Sequence, residues 1–305
     1  MNDLDIEIAV LLPCRNEEAT IRDVVEGFKI ALPEASVYVY DNGSVDATVS
    51  EALEAGAIIG SEPAEGKGRV VRRMFAEIEA DVYVMADGDG TYDPAESPIL
   101  VKKLLDASLD MVVGTREGIT RDAGRRGHVV GNRIFNRLYK MLFSSGFSDI
   151  FTGYRVFSRR LVKSFPSIST GFEIETEICV HTSQLDLPVA EIPVSYGLRP
   201  EGSKSKLNTI SDGLKLLRAM LVLVKENRPF FMFGSLSILS IFSSVALVIP
   251  LAVTYAQTGL VPRLPTVVLA TGLAVLGLLF LALGLILDSI AKARMEAKRI
   301  SYLQN

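Results

Sequence analysis

The last third of the chain is almost free of charge, and this feature constrains the fold more than any other. Between Arg228 and Asp288 the only charged side chain is Arg263, in the proline-flanked segment 261–265. Residues 230–255 and 266–287 each exceed the roughly 20 apolar residues that span a bilayer. The sequence therefore predicts two transmembrane helices joined by a short turn. The alternative, a helical hairpin buried in a soluble protein, is disfavoured because helices that are apolar on every face are rarely covered by so small a domain.

Basic residues lie on both outer sides of this hairpin, whereas the turn carries Arg263 alone. They are Lys225 and Arg228 before it and Lys292, Arg294, Lys298 and Arg299 after it. The positive-inside rule then places both termini in the cytoplasm, in a multi-pass protein of the cytoplasmic (inner) membrane. Residues 1–13 are acidic at the start and lack the basic region and cleavage site of a signal peptide, so we expect the large N-terminal domain to stay cytosolic.

Composition limits the remaining possibilities. The chain has 305 residues, and its mean hydropathy of +0.30 is high for a soluble protein. A net charge of −4 and a pI near 5.4 argue against nucleic acid as a partner. Cys14 and Cys179 are too few and too far apart for a disulfide framework or a zinc site, which fits a reducing compartment.

Residues 6–114 alternate apolar β-type runs with segments of helical length, a pattern typical of a parallel α/β sheet. The runs are residues 6–12, 37–40, 57–60, 82–86 and 111–113. Ligands bind beyond the carboxyl ends of such strands, so the residues after each run are the informative ones. These are polar, acidic or glycine-rich: residues 13–18, 41–46, 87–92 and 114–116.

Asp87-Gly88-Asp89 places two carboxylates at the end of the fourth run. A divalent cation held by one or two carboxylates is the usual way to neutralise the pyrophosphate of a sugar nucleotide. A solvated turn that caps the following helix is the alternative for the triplet taken alone. Gly66-Lys67-Gly68 matches neither a dinucleotide fingerprint nor a P-loop, and an EF-hand would need Gly at position 92 and Glu at position 98.

Taken in order, these segments resemble the family-2 glycosyltransferases of GT-A fold, and within them the polyprenyl-phosphate glycosyltransferases similar to dolichol-phosphate mannose synthase. The resemblance covers essentially the whole length. Its motifs are Pro13-x-x-Asn16-Glu17-Glu18, Asp41-Asn42-Gly43-Ser44-x-Asp46-x-Thr48, Gly66-Lys67-Gly68, Asp87-Gly88-Asp89, Gly114-Thr115-Arg116, Asp149-x-x-Thr152-Gly153-Tyr154-Arg155, Gly171-Phe172-Glu173-Ile174-Glu175, Pro193-Val194-Ser195-Tyr196, Arg199 and Ser205-Lys206-Leu207.

The resemblance implies a Rossmann-like nucleotide-diphospho-sugar transferase domain and a role for each matching residue. The nucleotide would contact Pro13, Glu17, Asp41, Ser44, Lys67 and Asp87. A metal ion, Mg²⁺ or Mn²⁺, would lie at Asp87 and Asp89, with Thr91 a weak third ligand where the family often has Gln. Arg116 and, more weakly, Asn132 would contact the acceptor phosphate. Arg199 and Lys206, from a mobile loop, would join Asp89 and Arg116 in catalysis, unless they form only a solvated basic linker.

Other departures from the family pattern are Asn42, where a second Asp is frequent, and Arg15, where Tyr is frequent. A basic cluster could face an anionic leaflet, or could be a mixed surface helix: Arg116, Arg121, Arg125, Arg126, Arg133, Arg137 and Lys140. Residues 208–228 present an apolar stripe, which predicts an interfacial amphipathic helix or an ordinary packing face. The predicted domains are 1–207 (catalytic), 208–228, 229–289 (membrane hairpin) and 290–305 (basic cytoplasmic tail).

The residues also suggest the chemistry. A lipid monophosphate is largely a dianion at pH 7 and needs no protein base, which fits a chain with only two histidines, His128 and His181. His181 falls in a predicted helix over residues 173–184, where a surface or satisfied role is favoured over catalysis. The predicted reaction is inverting transfer of one sugar from a nucleotide sugar, with UDP weakly favoured and GDP-mannose possible, to a polyprenyl phosphate.

Two other functions remain open. A processive polysaccharide synthase of the same fold usually carries more membrane spans, and a membrane-anchored nucleotide-sugar-binding protein without turnover would not need the catalytic residues. The resemblance also makes a homo-oligomer through the hairpin plausible.

Overall fold

The computed structural model describes residues 6–117, 147–167, 169–171, 173–197, 222, 224–226, 228–261 and 263–305. The chain divides into two compact units. The first contains residues 1–216 and 298–305, and the second contains residues 217–297.

The described part of the first unit contains one sheet and the helices that cover it. The strands are β1 (Ile8–Cys14), β2 (Ser36–Asp41), β3 (Ile58–Ser61), β4 (Val82–Met85), β5 (Met111–Glu117), β6 (Arg155–Ser158) and β7 (Val189–Ser195). The helices are α1 (Ile21–Ala31), α2 (Thr48–Glu54), α3 (Lys67–Glu77), α4 (Ser97–Asp106), α5 (Arg159–Ser164) and α6 (Ile174–Gln184), with a short 3-10 helix at Pro94–Glu96. All five strands expected from the apolar runs are present.

The strand order is β3-β2-β1-β4-β6-β5-β7. The pairs β3-β2, β2-β1, β1-β4 and β5-β7 are parallel, as predicted, but β6 runs antiparallel to both β4 and β5. The five strands predicted from residues 6–114 therefore all run in the same direction, as expected, and β6, which lies beyond that range, makes the sheet a mixed α/β sheet. A strand of four residues does not reveal its direction in its sequence, because direction is decided by where the connecting chain returns to the sheet.

The core lies between the sheet and helices on its faces. Helix α1 contacts α2 and α4, whereas α3 contacts α5. Val10, Leu12 and Val84 of the central strands pack with Phe28 of α1 and Leu100 of α4, and all five are fully or almost fully buried. This burial keeps β1, β2 and β4 in register, so the segments that follow them emerge at one edge of the sheet.

Arg155 is a charged residue in the core and has no exposed surface. Its guanidinium donates hydrogen bonds to the main-chain oxygens of Ile150, Thr152 and Glu175 at 2.9–3.1 Å, and Nη1 lies 3.2 Å from the Sγ of Cys179. A buried cation is tolerated only when its donors are satisfied in this way. Arg155 thereby joins the start of β6, the loop before it and helix α6.

His181 on α6 has a packing role and does not lie at the surface. Its ring is 1% exposed, packs edge-on against Phe165, and lies with Nε2 3.3 Å from the Oγ of Ser164. Burial lowers the pKa of His181 to about 3, so the ring is neutral at physiological pH.

The second unit contains most of two long helices, α7 (Pro229–Thr258) and α8 (Leu264–Gln304), which extend beyond the predicted spans 230–255 and 266–287. Both are long and apolar enough to cross a membrane, with mean hydropathies of 2.4 and 2.5 in their most apolar windows. Only 11% and 17% of those windows are buried, whereas a core helix of a soluble protein is mostly buried. Gly259, at a φ of +69°, ends α7 in the left-handed conformation that glycine favours.

Small residues bring α7 and α8 close together. The buried residues of α8 in this unit are Ala270, Gly277 and Gly284, spaced by seven. A Cβ at Gly277 would lie 2.6 Å from Cγ1 of Ile241, and the hydroxyl of Ser244 donates to the oxygen of Ala270 at 2.7 Å. Such small-residue contacts are typical of helix pairs in membranes.

The end of α8, residues 298–305, belongs to the first unit, where it packs near α5. The hydroxyl of Tyr302 donates to the buried Oδ2 of Asp110 at 2.8 Å, and the guanidinium of Arg160 lies 5.3 Å from the centroid of the Tyr302 ring. The last residues of the predicted basic tail are therefore helical and pack within the first unit.

Replacing Arg155 by Met should destabilise the protein strongly, because three buried carbonyls lose their donor and cannot be reached by water. We expect a loss of about 3–5 kcal/mol, the size found when one partner of a buried charged network is removed. The matched control is Arg159→Met, since Arg159 is 44% exposed and pairs with exposed Glu79; it should cost about 0–1 kcal/mol. Thermal unfolding followed by circular dichroism in detergent measures both. Equal losses in the two variants would contradict this account of Arg155.

Candidate active site

The loops that follow β1 and β2 are joined by hydrogen bonds from main chain to side chain. The nitrogen of Asn16 donates to the Oγ of Ser44 at 2.9 Å, and the nitrogen of Glu17 donates to the Oγ1 of Thr48 at 2.8 Å. In return, the nitrogen of Val45 donates to the Oδ1 of Asn16 at 2.9 Å. These hydrogen bonds join the two loops that carry the predicted nucleotide contacts into one continuous surface. Glu17 is buried in this surface, and Pro13 is half-buried at the end of β1.

Asp41 shapes the second loop. Its carboxylate accepts hydrogen bonds from the nitrogens of Gly43 and Ser44 at 3.1–3.2 Å, an Asx turn that Gly43 completes at a φ of +76°. The turn fixes Ser44 against Asn16. Asp41 and Ser44 are thus brought together as the sequence predicted, although their contact with a base stays a prediction.

Asn42 holds the loop that leads into α3. Its amide Nδ2 donates to the oxygens of Glu62 and Ala64 at 2.8 and 2.9 Å, and its Oδ1 accepts from the nitrogen of Gly66 at 2.7 Å. An aspartate could make only the last of these three bonds. The departure from the family pattern at this position therefore has a physical reason in this chain.

The glycines on either side of Lys67 are required by close packing. Gly66 has a φ of +135°, and a Cβ there would lie 2.0 Å from the oxygen of Thr170. A Cβ at Gly68 would lie 2.4 Å from the oxygen of Ser169. The start of α3 is thereby pressed against the segment that leads into α6, and Lys67 is carried into the site.

Lys67 lies between two carboxylates. Its Nζ is 2.5 Å from Oδ1 of Asp87 and 2.6 Å from Oε1 of Glu175. Burial opposes the charge on Lys67, but the two carboxylates outweigh it and raise the pKa of the ammonium above its ordinary value. The sequence predicted that Lys67 and Asp87 belong to the site, but it assigned Glu175 no role. Glu175 lies on a recognised motif, yet its pairing with Lys67 depends on the approach of α6 to α3.

Asp89 is 3% exposed and is held by its own loop. Its Oδ1 accepts from both the Oγ1 of Thr91, at 2.6 Å, and the nitrogen of Thr91, at 3.2 Å. Thr91 therefore orients Asp89. The neighbouring Gly88 is needed because a Cβ there would lie 2.4 Å from the Sγ of Cys14.

These side chains fit a hard divalent cation. Carboxylate and hydroxyl oxygens are its preferred ligands, and Mg²⁺ is commonly bound by one or two carboxylates together with the phosphates of a substrate. The described residues contain no group of three or more His, Cys, Asp or Glu side chains that could hold a metal ion.

Arg116, at the other side of the candidate site, forms a bidentate ion pair with Asp149. Its Nε and Nη2 donate to the two carboxylate oxygens of Asp149 at 2.7 and 2.8 Å, and its guanidinium lies 5.3 Å from the centroid of the Tyr196 ring. Burial opposes the charge, but Asp149 outweighs it and raises the pKa of Arg116. Asp149 and Tyr196 lie on recognised motifs, but the sequence did not reveal that they hold Arg116.

Tyr92 connects the two sides. Its ring packs against those of Tyr154 and Tyr196, each with centroids 5.2 Å apart, and its hydroxyl accepts from the nitrogen of Gly153 at 2.9 Å. Burial, and then the charge of Asp87, raise the pKa of Tyr92, whereas Arg116 lowers it. Gly153 in turn packs against Asp87, since a Cβ there would lie 2.6 Å from Oδ2, and Tyr196 lies beside Arg116, so Tyr92 connects both predicted charged centres.

Several predictions lie outside the described residues. They concern Arg199 and Lys206, Asn132, the basic cluster beyond Arg116, and most of the amphipathic segment 208–228. Their roles stay predictions.

The role of Asn42 can be tested with one substitution at two sites. Asn42→Asp removes two donors and places a carboxylate beside two carbonyls, so we expect a loss of about 2–4 kcal/mol of stability. Asn16→Asp is the control: Asn16 accepts from Val45 through Oδ1, has a φ of +51°, and Asp tolerates both conditions. It should change stability by about 0.5 kcal/mol or less. Urea unfolding measures the free energy of unfolding of both variants. An Asn42→Asp variant as stable as Asn16→Asp would contradict the three hydrogen bonds assigned to Asn42.

The ion pair between Asp149 and Arg116 should make the free energy of unfolding depend on pH. Burial alone would raise the pKa of Asp149, but its bonds to Arg116 prevail and hold it below the unfolded value near 4. The pair therefore contributes fully above about pH 4 and is lost as pH falls through the lower folded pKa. Asp149→Asn should cost about 3 kcal/mol at pH 7.

The difference in melting temperature between wild type and Asp149→Asn should accordingly narrow as pH falls below about 4. Exposed Asp106 on α4 provides the control, because Asp106→Asn should change the stability at pH 7 by about 0.5 kcal/mol or less. A difference for Asp149→Asn that stays constant down to about pH 2 would show that the charge of Asp149 is not what stabilises the fold.

Comparison with known proteins shows the family to which the chain belongs. The sequence profile described as Glycosyl transferase family 2 matches residues 9–165. Glycosyltransferase AglJ of Haloferax volcanii is 33% identical over 97% of this chain and 98% of its own length. Dolichol-phosphate mannosyltransferase of Pyrococcus furiosus is 25% identical over 69% of this chain and 62% of its own length.

The fold also matches a solved structure. Glucosyl-3-phosphoglycerate synthase from Mycobacterium tuberculosis, in complex with Mn²⁺, UDP and glucosyl-3-phosphoglycerate, superimposes with a TM-score of 0.60 at 23% identity, covering 72% of this chain and 80% of that one. The predicted resemblance is confirmed: this chain belongs to glycosyl transferase family 2 and has a GT-A fold.

Proposed function

We propose that this protein transfers one sugar from a nucleotide sugar to a polyprenyl phosphate, with inversion at the sugar carbon and with a divalent cation bound to the donor. The observation that carries the proposal is that Asp87 and Asp89 follow β4 and are linked through Tyr92 to Arg116. The Tyr92 hydroxyl accepts from the nitrogen of Gly153, which packs against the carboxylate of Asp87, and the Tyr92 ring packs against Tyr196, which lies beside Arg116. Such a site has carboxylates for a metal-bound diphosphate and a cation for a second anion.

On the donor side, Pro13 and Glu17 would line the base and ribose, with Asp41 and Ser44 at the base. Lys67 and Asp87 would lie beside the donor, and Asp89 would be the direct metal ligand, with Thr91 orienting it. The cation, Mg²⁺ or Mn²⁺, would neutralise the diphosphate as it leaves. Arg199 and Lys206 would close over the same group.

On the acceptor side, Arg116 and Asn132 would align a phosphate. A phosphate monoester with a second pKa of about 6 is largely dianionic at pH 7 and attacks without a protein base. Its oxygen forms the new bond to the anomeric carbon as the bond to the nucleoside diphosphate breaks, and direct attack inverts that carbon. The buried, neutral His181 takes no part.

A lipid acceptor is supported by two features. The same chain carries two helices apolar enough to cross a membrane. The Pyrococcus relative is named as a dolichol-phosphate mannosyltransferase, which is the acceptor class proposed here. We further propose that the catalytic unit and both termini lie on the cytoplasmic side of the inner membrane, and that copies associate through the hairpin.

The experiment is direct. Detergent-purified protein is incubated with a short polyprenyl phosphate, Mg²⁺ or Mn²⁺, and a panel of UDP- and GDP-sugars, and the extracted lipids are identified by mass spectrometry. A lipid phosphate heavier by one sugar residue supports the proposal and names the donor. A polymeric product would favour a processive synthase, and donor binding without any product would favour a non-catalytic binding protein.

Asp89→Asn should lower the rate of transfer at least about 100-fold, because a carboxylate that neutralises the leaving diphosphate is lost. Asp93→Asn is the matched control. Asp93 lies four residues further on, and its side chain accepts from the nitrogen of Ala95, a bond that Asn can also accept. It should retain transfer within about twofold of wild type. Unchanged turnover of Asp89→Asn at saturating donor and metal would disprove its role as a metal ligand.

A further inference from the structure

Tyr196 lies on a motif that the chain shares with its family, but the sequence assigned it no role. It belongs to the strand beside the one that carries Arg116: Arg116 pairs with Val194 of β7, and Tyr196 follows two residues later. The central carbon of the Arg116 guanidinium lies 5.3 Å from the centroid of the Tyr196 ring. A cation within about 6 Å of a ring face is attracted by the negative charge of that face. Tyr196 is therefore a second partner of Arg116, besides Asp149.

The two partners take up different parts of the guanidinium. Asp149 binds the edge formed by Nε and Nη2, at 2.7 and 2.8 Å, whereas the Tyr196 ring faces the central carbon. The described residues offer no hydrogen-bond partner to the third nitrogen of Arg116, Nη1, which carries two donor hydrogens. Phosphate oxygens are strong acceptors for such donors. Arg116 is thus held by two side chains and keeps one nitrogen for a ligand.

Tyr196 is itself held by the segment that follows the acidic triplet Asp87-Gly88-Asp89. The main chains of Tyr92 and Tyr196 form an antiparallel bridge, and the centroids of their rings lie 5.2 Å apart. Next to Tyr196, the nitrogen and the hydroxyl of Ser195 donate to the carboxylate of Glu96 at 2.9–3.1 Å. The ring is therefore fixed by the protein, and little conformational entropy is lost when Arg116 uses it as a support.

The same segment connects Tyr196 to the predicted metal ligand. The nitrogen of Gly197 donates to the main-chain oxygen of Thr91 at 2.8 Å, and the nitrogen and hydroxyl of Thr91 donate to Asp89. A phosphate bound at Arg116 would therefore be placed relative to Asp89 through Tyr196. Attack in line requires that the two reacting groups be held at a fixed distance, and these contacts supply such a link.

An aromatic ring suits this position because it holds a cation without adding a charge. A carboxylate at position 196 could also hold Arg116, but its negative charge would repel an incoming phosphate. A ring face attracts the guanidinium through its quadrupole and carries no formal charge.

We infer that Tyr196 is a positioning residue for the acceptor phosphate and acts through Arg116, which it holds together with Asp149 so that Nη1 is left for the acceptor. This inference rests on the proposed function, which takes a polyprenyl phosphate as the acceptor and Arg116 as its contact. Asn132, outside the described residues, is proposed to contact the same phosphate. Loss of the Tyr196 ring should therefore weaken acceptor binding without abolishing it.

The test compares Tyr196→Leu, which removes the ring, with Tyr196→Phe, which keeps the ring and loses only the hydroxyl. Initial rates are measured at varied polyprenyl phosphate and, separately, at varied nucleotide sugar. We expect Tyr196→Leu to raise the KM for the acceptor about fivefold to tenfold, the size of a partly buried cation–π contact. The KM for the donor should stay within about twofold, because the main-chain contacts of the segment are kept. Tyr196→Phe should restore the acceptor KM to within about twofold of wild type.

Tyr38→Leu is the matched control. Tyr38 lies on β2 and is half-buried, as Tyr196 is. Both KM values of Tyr38→Leu should stay within about twofold of wild type. The inference is overturned if Tyr196→Leu raises both KM values together, because that result indicates general damage to the site. It is also overturned if the acceptor KM does not change, or if Tyr196→Phe fails to restore it.

A series of fluorinated rings keeps the inference testable should Tyr196→Leu not fold. Phenylalanine with an increasing number of fluorine atoms is incorporated at position 196, which withdraws electrons from the ring face and nearly preserves its shape. The acceptor KM should rise along the series, and the donor KM should not. An acceptor KM that is constant along the series would overturn the inference alone. A wild-type protein that transfers no sugar to polyprenyl phosphate from any donor would overturn the proposed function, and the inference with it.

Discussion

The structure depends on one buried guanidinium. Arg155 has no access to water, so each of its donors must find a partner within the protein, and it finds them on the main chain at Ile150, Thr152 and Glu175. One side chain thus fixes two segments that are distant in sequence. The first carries Asp149, which holds Arg116, and the second carries Glu175, which holds Lys67. Both charged centres of the site are positioned from the same point in the core.

In the part of the site proposed to bind the donor, close packing of the backbone matters as much as contacts between side chains. Gly66, Gly68, Gly88 and Gly153 each lie where a Cβ would come within 2.6 Å of a neighbouring atom. These contacts press the acidic triplet, the start of α3 and the segment before α6 into one small volume. The charged groups there can interact strongly because little water separates them. Because little water enters this crowded region, the main-chain groups around Asn42 need partners from the protein, and the Asn42 amide both donates and accepts hydrogen bonds there.

Much of this could be predicted. The five apolar runs predicted five strands, and the polar segments after them predicted which side chains gather at the edge of the sheet where the candidate site lies. The direction of β6 could not be predicted, because its four residues carry no periodic signal and its pairing is set by the return of the chain. The sequence left open whether His181 lies at the surface or inside, because α6 is covered on all sides and this covering depends on neighbours far away in sequence.

The sequence by itself determined the class of the protein. The class can be recognised from local features: uninterrupted apolar segments, alternating β and α runs, and carboxylates at strand ends. Each of these features reflects whether its segment faces lipid, the protein core or water. Only the tertiary structure decided how charges are paired. Lys67 with Glu175, and Arg116 with Asp149, are contacts between segments distant in sequence, and a charge pair in a buried site depends on distances of a few ångströms that no local pattern records.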